Sequence, residues 1–191
     1  MPSRLRRHDE AGHIHFLTMS TFRRLQFFRH PGVCSGMMLG MNAVRERQAI
    51  RWLAYVIMPE HVHLVLLPQR TRDQPPVPIS TLLQEFKSIA GRLCKAALRE
   101  VWRQHRSLGT APSNGWARSP GEKAFWKPRG YDFNVLAEDK LLEKINYLHA
   151  NPIRRGLVDR AEDWAWSSYR FYEFGERSPI AMDWDGGFPV L

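Results

Sequence analysis

The sequence predicts an α+β fold built on an antiparallel sheet, and two observations carry that prediction. Segments with strand and helix periodicity follow one another as strand–helix–strand–strand–helix–strand. Two apolar runs rich in β-forming residues are separated only by Pro59-Glu60, a tight turn that makes neighbouring strands antiparallel. The 191 residues suffice for one sizeable core. We expect a single domain over residues 1–191, with a core of about 12–158 and a C-terminal extension over 159–191.

The first half of the chain supplies three strands and one helix. A strand is predicted over residues 12–21, and residues 30–48 repeat apolar side chains at a helical spacing. Ile50–Met58 is apolar on both faces, as a central strand would be, and His61–Pro68 returns beside it. The helix is expected to bury its apolar stripe of Val33, Met37, Met41 and Val44.

The long helix of the second half combines an apolar and a basic face. After a linker over residues 70–78, Ser80 or Thr81 is expected to cap a helix that runs to about His105. Its core stripe contains Leu82, Leu83, Phe86, Ile89, Leu93 and Ala97. The other face is either a solvated surface or a phosphate-contacting one, and it carries Lys87, Arg92, Lys95, Arg99 and Arg103.

The rest of the fold is predicted from proline positions and aromatic content. Residues 125–136 are a strand interrupted at Pro128, which implies an edge position or a bulge. Residues 138–151 are a helix that should end before Pro152, because a proline disfavours helical geometry in the preceding residue. The aromatic segment 164–172 either packs as a small helix or stacks on bases, and packing is the favoured interpretation.

Charge and cysteine content limit the classes of partner and compartment. Lysine and arginine outnumber aspartate and glutamate by 28 to 19, for a net charge of +9, which favours nucleic acid as a partner. No apolar stretch is long enough to span a bilayer, and the first ten residues lack the apolar region of a secretion signal. Cys34 and Cys94 are expected to be reduced, buried thiols. The expectation is a cytoplasmic protein.

The segment that begins at Tyr55 carries the strongest chemical signal, because His61 and His63 are one residue apart in a strand. Alternate strand side chains share a face, so both imidazoles can converge on one divalent ion while Val62 points into the core. The alternative is a half-buried pair that is hydrogen-bonded to its neighbours. A second pair, His13 and His15, has the same spacing but no adjoining turn and strand, and we expect it not to bind metal.

The helix before Pro152 offers oxygen atoms on one face. Tyr147 and Asn151 are four residues apart, so a helix stacks them and could present a phenolic and an amide oxygen together. Tyr147 lies off the buried stripe of Leu141, Ile145 and Leu148, as a surface residue or a site residue would. Asn151 has a second interpretation, as a C-terminal cap of the helix.

Together these segments resemble the REP-associated tyrosine transposases, a branch of the HUH single-tyrosine transposases. The matching stretches, in the family's order, are Val56-Ile-Met-Pro-Glu-His-Val-His-Leu-Val, Tyr131-Asp-Phe-Asn-Val, Lys144-Ile-Asn-Tyr-Leu-His-Ala-Asn-Pro-Ile-Arg-Arg-Gly-Leu-Val and Trp164-Ala-Trp-Ser-Ser-Tyr-Arg. The resemblance implies a ferredoxin- or RRM-like antiparallel sheet with helices packed on it. It also implies single-stranded DNA hairpins as the substrate and a bacterial, nucleoid-associated protein.

The resemblance assigns roles to individual residues. It implies that His61 and His63 hold Mg²⁺ or Mn²⁺, that Tyr147 is the nucleophile forming a 5′-phosphotyrosine, and that Asn151 is the third ligand. Glutamine holds the place of Asn151 in the insertion-sequence relatives. The expected DNA contacts are Lys87, Arg92, Lys95, Arg129, Arg154 and Arg155.

One departure from the family and three other functions qualify these expectations. Residues 127–130, Lys-Pro-Arg-Gly, stand where the family usually has Gln, two Arg and an aromatic residue, which puts contacts of that strand in doubt. The alternatives are a catalytically silent, domesticated hairpin-binding protein, an RRM-like RNA-binding protein and a structural zinc protein. The last is disfavoured by the lack of cysteine ligands. The sequence leaves monomer and homodimer both open.

Overall fold

A computed structural model describes residues 13–108, 110 and 124–184. The strands are β1 (Ile14–Ser20), β2 (Ile50–Met58), β3 (His61–Pro68) and β4 (Tyr131–Val135). The helices are α1 (Pro31–Arg47), α2 (Ile79–Ser107), α3 (Glu138–Arg154) and α4 (Tyr169–Phe174). The predicted strand–helix–strand–strand–helix–strand order is therefore confirmed. The expectations about the first ten residues lie outside the described part of the chain.

The four strands form one antiparallel sheet in the order β2-β3-β1-β4, with helices on both faces. On one face α1 and α2 cover a core that includes Leu17, Trp52 and Val62. On the other face α3 packs its stripe of Leu141, Ile145 and Leu148 against strand residues that include Phe16 and Val65. The predicted α+β class is confirmed. No helix among the described residues is long and apolar enough to cross a membrane.

The two helices on the first face pack closely because small residues line their contact. A Cβ atom added at Gly40 would come 2.7 Å from the Cα of Ala90, a distance that forbids any side chain there. The predicted stripe of α1 is fully buried, and Cys34 and Cys94 are free, buried thiols as expected. Burial raises the pKa of Cys34 to about 12, which keeps this thiol protonated and unreactive.

The strand β2 lies at an end of the sheet, so the prediction of a central strand is wrong. Both of its faces are apolar because helices cover both. Its outer edge pairs with the C-terminal segment: the N–H of Ile57 donates to the carbonyl of Trp166 at 2.8 Å, and that of Asp183 donates to Trp52 at 2.8 Å. The indole of Trp164 also donates to the carbonyl of Ile57 at 3.0 Å. The aromatic segment thus packs, as favoured, and protects a sheet edge.

Two predicted helix ends are wrong. The helix α2 begins at Ile79 after Pro78, and neither Ser80 nor Thr81 is its N-cap, because both lie inside the first turn. The helix α3 passes through Pro152 and ends at Arg154. Proline tolerates helical φ angles and costs the helix one backbone hydrogen bond, and burial of this turn offsets that cost. Termination follows at Gly156, whose φ of 61° needs a glycine.

The predicted strand over residues 125–136 is shorter in the structure: β4 covers Tyr131–Val135 at the other end of the sheet, and Pro128 lies before it. Residues before it form a separate contact, in which Trp126 bridges to Thr21 and the N–H of Lys127 donates to the carbonyl of Ser20 at 2.9 Å. The chain then loops through residues 127–130 and enters β4 at Tyr131. This loop therefore lies beside the C-terminal end of β1.

Candidate active site

The β3 histidine pair lies on the face of the sheet that α3 covers. Val62 is in the core of the opposite face, as alternation predicts. The imidazoles are nearly buried, with exposed fractions of 6% for His61 and 5% for His63. The reason is aromatic cover: the ring of Phe16 stacks on His63 with centroids 5.3 Å apart, and Tyr147 meets His63 edge-on at 5.6 Å.

The two imidazoles converge through their Nε2 atoms, which are 3.1 Å apart. Two nitrogen ligands about 2.1 Å from one ion stand roughly 3.0–3.4 Å from each other in octahedral or tetrahedral geometry. The pair therefore has the separation that a shared divalent ion requires. No group of three His, Cys, Asp or Glu residues within the described ranges could hold a metal, so any third protein ligand there must be of another type.

The outer nitrogen of each ring has a fixed partner. The Nδ1 of His61 lies 3.3 Å from Oε1 of Glu60, and the Nδ1 of His63 lies 2.8 Å from Oγ1 of Thr18. A carboxylate only accepts, so Nδ1 of His61 carries hydrogen, and Nε2 of His61 carries a lone pair whenever that ring holds a single proton. If His63 likewise donates to Thr18, two lone pairs face each other and a cation between them removes the repulsion. If Thr18 donates instead, His63 donates Nε2–H to His61 and no metal is needed.

Glu60 is the electrostatic centre of this site, although the sequence had suggested only a turn residue. Its buried Oε1 accepts from His61, from Arg24 at 2.7 Å and from Arg155 at 3.0 Å. The hydrogen bond from His61, with the positive charges of His61 and Arg155, lowers the pKa of Glu60 to about 2 despite burial. Burial, with the charge of His61, lowers the pKa of His63 to about 3. Glu60 thus stays charged, orients His61 and ties the end of α3 to the turn before β3.

Tyr147 is the only tyrosine of α3, and that helix presents it to the histidine pair. It is 40% exposed, so an external substrate can reach it. Its ring contacts His63 and Phe16, and the guanidinium of Arg154 stands over it at 5.4 Å.

Asn151 is buried one turn after Tyr147, with an exposed fraction of 8%. Its amide Nδ2 donates to the backbone carbonyl of Tyr147 at 3.1 Å, which leaves the amide oxygen as the atom that would be a metal ligand. Because α3 continues to Arg154, Asn151 is not the helix cap of the alternative interpretation. Its role as a ligand stays a prediction.

The β1 histidine pair lies on the opposite face of the sheet from Tyr147. His15 is 2% exposed, and its Nδ1 is 2.9 Å from Oδ1 of Asp132 on β4. His13 is 3.0 Å from the amide nitrogen of Asn134. The structure does not bring these two rings to the candidate site.

The predicted DNA-contacting residues fall into three places. Arg154 and Arg155 lie at the site, the first over Tyr147 and the second on Glu60. Lys87 donates to the carbonyls of residues 127 and 129, so it holds the loop that carries Arg129. Arg92 and Lys95 lie further along α2, on the other side of the sheet.

Three residues at the site were not predicted from the sequence: Phe16, Thr18 and Glu60. Phe16 and Thr18 reach the histidines only because β1 pairs with β3 in a register that sets Thr18 opposite His63. Sequence patterns do not reveal such a register. Glu60 could have been found, because a carboxylate directly before a histidine pair is placed to orient it.

Comparison with known proteins places the chain among relatives of one kind. A Haemophilus influenzae protein provisionally named a REP-associated tyrosine transposase is 26% identical over 147 residues, which are 76% of this chain and 72% of that protein. The REP-associated tyrosine transposase of Escherichia coli K12 is 23% identical over 134 residues, which are 70% of this chain and 61% of that protein. No family model matches the chain.

A solved structure has the same fold along its whole length. It is that of a REP-associated tyrosine transposase bound to a REP hairpin, and it aligns with a TM-score of 0.62 over 99% of both chains at 19% identity. At this identity the likeness establishes the fold. Together with the two sequence relatives, it confirms the resemblance predicted from the four sequence stretches.

Proposed function

From the resemblance of this chain to the REP-associated tyrosine transposases, we propose that it cleaves and rejoins single-stranded DNA hairpins in a metal-dependent reaction. One observation carries the proposal. A solvent-accessible tyrosine, Tyr147, packs against one of two imidazoles whose Nε2 atoms converge at 3.1 Å. The net charge of +9 suits a polyanionic substrate, and a bacterial nucleoid location follows from that substrate.

In the proposed reaction Tyr147 acts as a nucleophile on a DNA phosphodiester. Its phenolic oxygen forms a bond to phosphorus, the bond from phosphorus to the 3′ oxygen breaks, and a proton leaves the phenol while the 3′ oxygen gains one. The product is a 5′-phosphotyrosine and a free 3′-hydroxyl. A second 3′-hydroxyl reverses the step and joins strands without another energy source, because the phosphodiester bond energy is retained.

The residues of this chain prepare that step. Arg154 stands over the Tyr147 ring, where its positive charge would neutralise the charge of a bound phosphate. His61 and His63, with Asn151 as the third ligand, would hold Mg²⁺ or Mn²⁺. Such an ion polarises the scissile phosphate when bound. Glu60 and Thr18 fix the two imidazole rings, so little reorganisation is needed on binding.

A catalytically silent hairpin-binding protein is the second candidate, and one feature favours it. The short contact between the histidines is also satisfied by a proton, with Thr18 donating to His63 and His63 donating to His61. The described residues contain no third His, Cys, Asp or Glu ligand for a metal. In this alternative Tyr147 is a surface residue, and only recognition of DNA remains.

A covalent-trapping experiment separates the two candidates. The full chain is incubated with a panel of single-stranded DNA hairpins and Mg²⁺ or Mn²⁺, and a covalent protein–DNA band is sought on a denaturing gel. We expect the band with wild type and its complete loss in Tyr147→Phe, while hairpin affinity stays unchanged because phosphate contacts supply most of it. Tyr169→Phe, the same change on α4, is the matched control and keeps the band.

Two of the outcomes decide between the candidates, and a third would reject the assignment of Tyr147 as the nucleophile. A metal-dependent band that Tyr147→Phe abolishes supports the nuclease. Tight hairpin binding without a band under any metal condition supports the silent protein. A band that persists in Tyr147→Phe would place the nucleophile elsewhere in the chain.

A further inference from the structure

An open cleft borders the candidate site at the edge of the sheet. It has a volume of about 640 Å³ and is lined by Thr18 and Ser20 of β1 and by residues 127–131. Volumes of this size are typical of small-molecule sites. Thr18 belongs both to this cleft and to the histidine site, because its hydroxyl lies 2.8 Å from Nδ1 of His63.

The loop that forms one wall of the cleft is braced from several sides. The ammonium of Lys87 donates to the carbonyls of Lys127 and Arg129, at 3.1 and 2.6 Å. The backbone of Gly130 is pressed against β1 so closely that an added Cβ would lie 2.9 Å from the carbonyl oxygen of Thr18. Arg129 holds a φ of 64°, which aims the chain into this bend. Bracing of this kind presents the loop's side chains from a fixed backbone.

The cleft lining has the chemistry of a nucleotide site. Lys127 and Arg129 are exposed, and neither forms an ion pair with a residue in the described part of the chain. No carboxylate lines the cleft, and the hydroxyls of Thr18 and Ser20 can donate to phosphate oxygens. Tyr131 adds an aromatic ring that is 44% exposed, and it is steadied by an edge contact with Phe16 at 6.4 Å. Cations, hydroxyls and a free aromatic face together suit a phosphate linked to a base.

The sheet register places this lining beside the proposed chemistry. Tyr131 is paired with Thr18, and Thr18 is paired with His63, so the three form one row across β4, β1 and β3. Two strand spacings separate Tyr131 from His63, which is roughly 10 Å. Tyr147 contacts Phe16 from above, and Phe16 in turn contacts Tyr131. A strand whose phosphate lies at Tyr147 can therefore place an adjoining nucleotide in the cleft.

We propose that the cleft binds one unpaired nucleotide of the DNA strand next to the scissile phosphate, with its base stacked on Tyr131 and its phosphate held by Lys127 and Arg129. This rests on the proposed function, because it takes the Tyr147 site as the place of cleavage. A paired base cannot offer its face to Tyr131, so the cleft selects DNA that is single-stranded at this position. The braced loop thereby contributes to the choice of cleavage position.

Photocrosslinking in EDTA tests the proposal without any cleavage. The probe is a DNA hairpin with short unpaired tails of random sequence, in which one tail position carries 5-iododeoxyuridine. Ultraviolet light couples this base to an aromatic ring in contact with it, and mass spectrometry of the digest finds the residue. We expect one tail position to crosslink to Tyr131. Crosslinks from every tail position that miss residues 127–131 would overturn the proposal.

Affinity measurements with matched variants test the same point independently. Tyr131→Ala should weaken binding of the tailed hairpin about tenfold and binding of a blunt hairpin by less than about twofold, since one stacked base is lost. Tyr131→Phe keeps the ring and should bind as wild type. Phe174→Ala removes an aromatic side chain of similar exposure, 50%, on α4 and is the control. Equal affinity of wild type and Tyr131→Ala for the tailed hairpin would overturn the proposal.

The salt dependence of hairpin binding tests the role of the two cations of the cleft. Lys127→Ala and Arg129→Ala should each reduce the dependence of log K on log salt by about one unit for the tailed hairpin only. An unchanged salt slope in both variants contradicts phosphate binding in the cleft. Failure of these tests is distinguishable from failure of the proposed function, because the covalent band of wild type with metal is measured on the same hairpins.

Discussion

Two histidine pairs of identical spacing lie on neighbouring strands, and the structure uses them differently. His15 on β1 contacts Asp132, and His13, directly before β1, contacts Asn134. His61 and His63 on β3 face each other at 3.1 Å and have their outer nitrogens fixed by other groups. The pairs also face opposite sides of the sheet, and only the β3 pair lies under the helix that carries Tyr147.

The difference shows that the role of a His-x-His motif depends on the groups around it and not on its spacing alone. In β1, Nδ1 of His15 lies 2.9 Å from a carboxylate oxygen of Asp132 on the neighbouring strand β4. In β3 the carboxylate of Glu60 approaches from the turn and leaves Nε2 free to meet the second ring. The same residue types therefore give a buried histidine–carboxylate contact in one strand and two converging imidazoles in the next.

Removing either histidine of the β3 pair should give the largest effect on cleavage. His61→Ala or His63→Ala should lower metal-dependent cleavage at least about 100-fold, since loss even of an outer-shell partner costs metal sites 10- to 100-fold. Hairpin affinity, measured by fluorescence anisotropy, should change little in either variant. Cleavage is quantified as covalent product per folded molecule.

The β1 pair provides the control for this prediction. His15→Ala should leave cleavage per folded molecule within about threefold of wild type but lower the melting temperature, because the buried hydrogen bond between His15 and Asp132 is lost. His13→Ala should also retain activity. Loss of cleavage on mutating His13 or His15, with His61 dispensable, would show that the wrong pair was assigned to the site.

A further buried histidine, on α3, makes stability depend on pH, with an expected effect of about 3 kcal/mol. His149 contacts Ser168 and two tyrosine rings, and burial lowers its pKa to about 4. The unfolded chain binds this proton near pH 6.5, so between these values the unfolded state holds more protons. Stability should therefore fall as pH drops from about 6.5 to about 4, and His149 adds no further loss below that.

Urea unfolding at several pH values measures this term against a His149→Gln variant. The difference in unfolding free energy between neutral pH and pH 4 should be smaller in the variant by about 3 kcal/mol. Identical pH profiles of wild type and variant would contradict the assigned pKa of His149.

Neutralising the two carboxylates beside the pairs should give an effect of intermediate size. Glu60→Gln removes the charge that orients His61, and we expect the metal concentration for half-maximal cleavage to rise about 10- to 100-fold. Asp132→Asn is the matched change beside His15 and should leave the metal titration unchanged. An equal shift in both variants would mean that the effect is one of general stability.

Substitutions of Asn151 should give the smallest effect. If its amide oxygen is a ligand, Asn151→Ala should raise the metal requirement roughly tenfold, the equivalent of about 1.4 kcal/mol for one polar contact. Asn151→Gln restores the residue of the insertion-sequence relatives and should keep substantial activity. A metal titration that Asn151→Ala leaves unchanged would remove this residue from the site.

Much of the fold was predictable because it depends on local periodicity. The bounds of β2 and β3 were predicted to the residue, and the stripe of α1 is buried as expected. The errors arose where tertiary contacts overrule a local bias. The helix α3 continues through Pro152 because this turn is buried. The strand β2 resembles a central strand in its sequence because residues 164–184 cover its outer edge.

The candidate site was predictable in its reactive groups but not in their supports. His61, His63 and Tyr147 were singled out from spacing and resemblance, and the structure brings them into contact. Phe16 and Thr18 come from a strand more than 40 residues away, and Arg24 and Arg155 meet on Glu60 from distant segments. Sequence patterns do not reveal contacts between segments so far apart in the chain.

The sequence by itself determined the alternation that puts His61 and His63 on one face, because strand side chains repeat every two residues. It also determined that Tyr147 lies off the buried stripe of its helix, through the period of the α-helix. The tertiary structure alone decided which histidine pair lies under that helix. That choice depends on the pairing of β1 with β3 and on the side of the sheet to which α3 returns, and both are set by packing between distant segments.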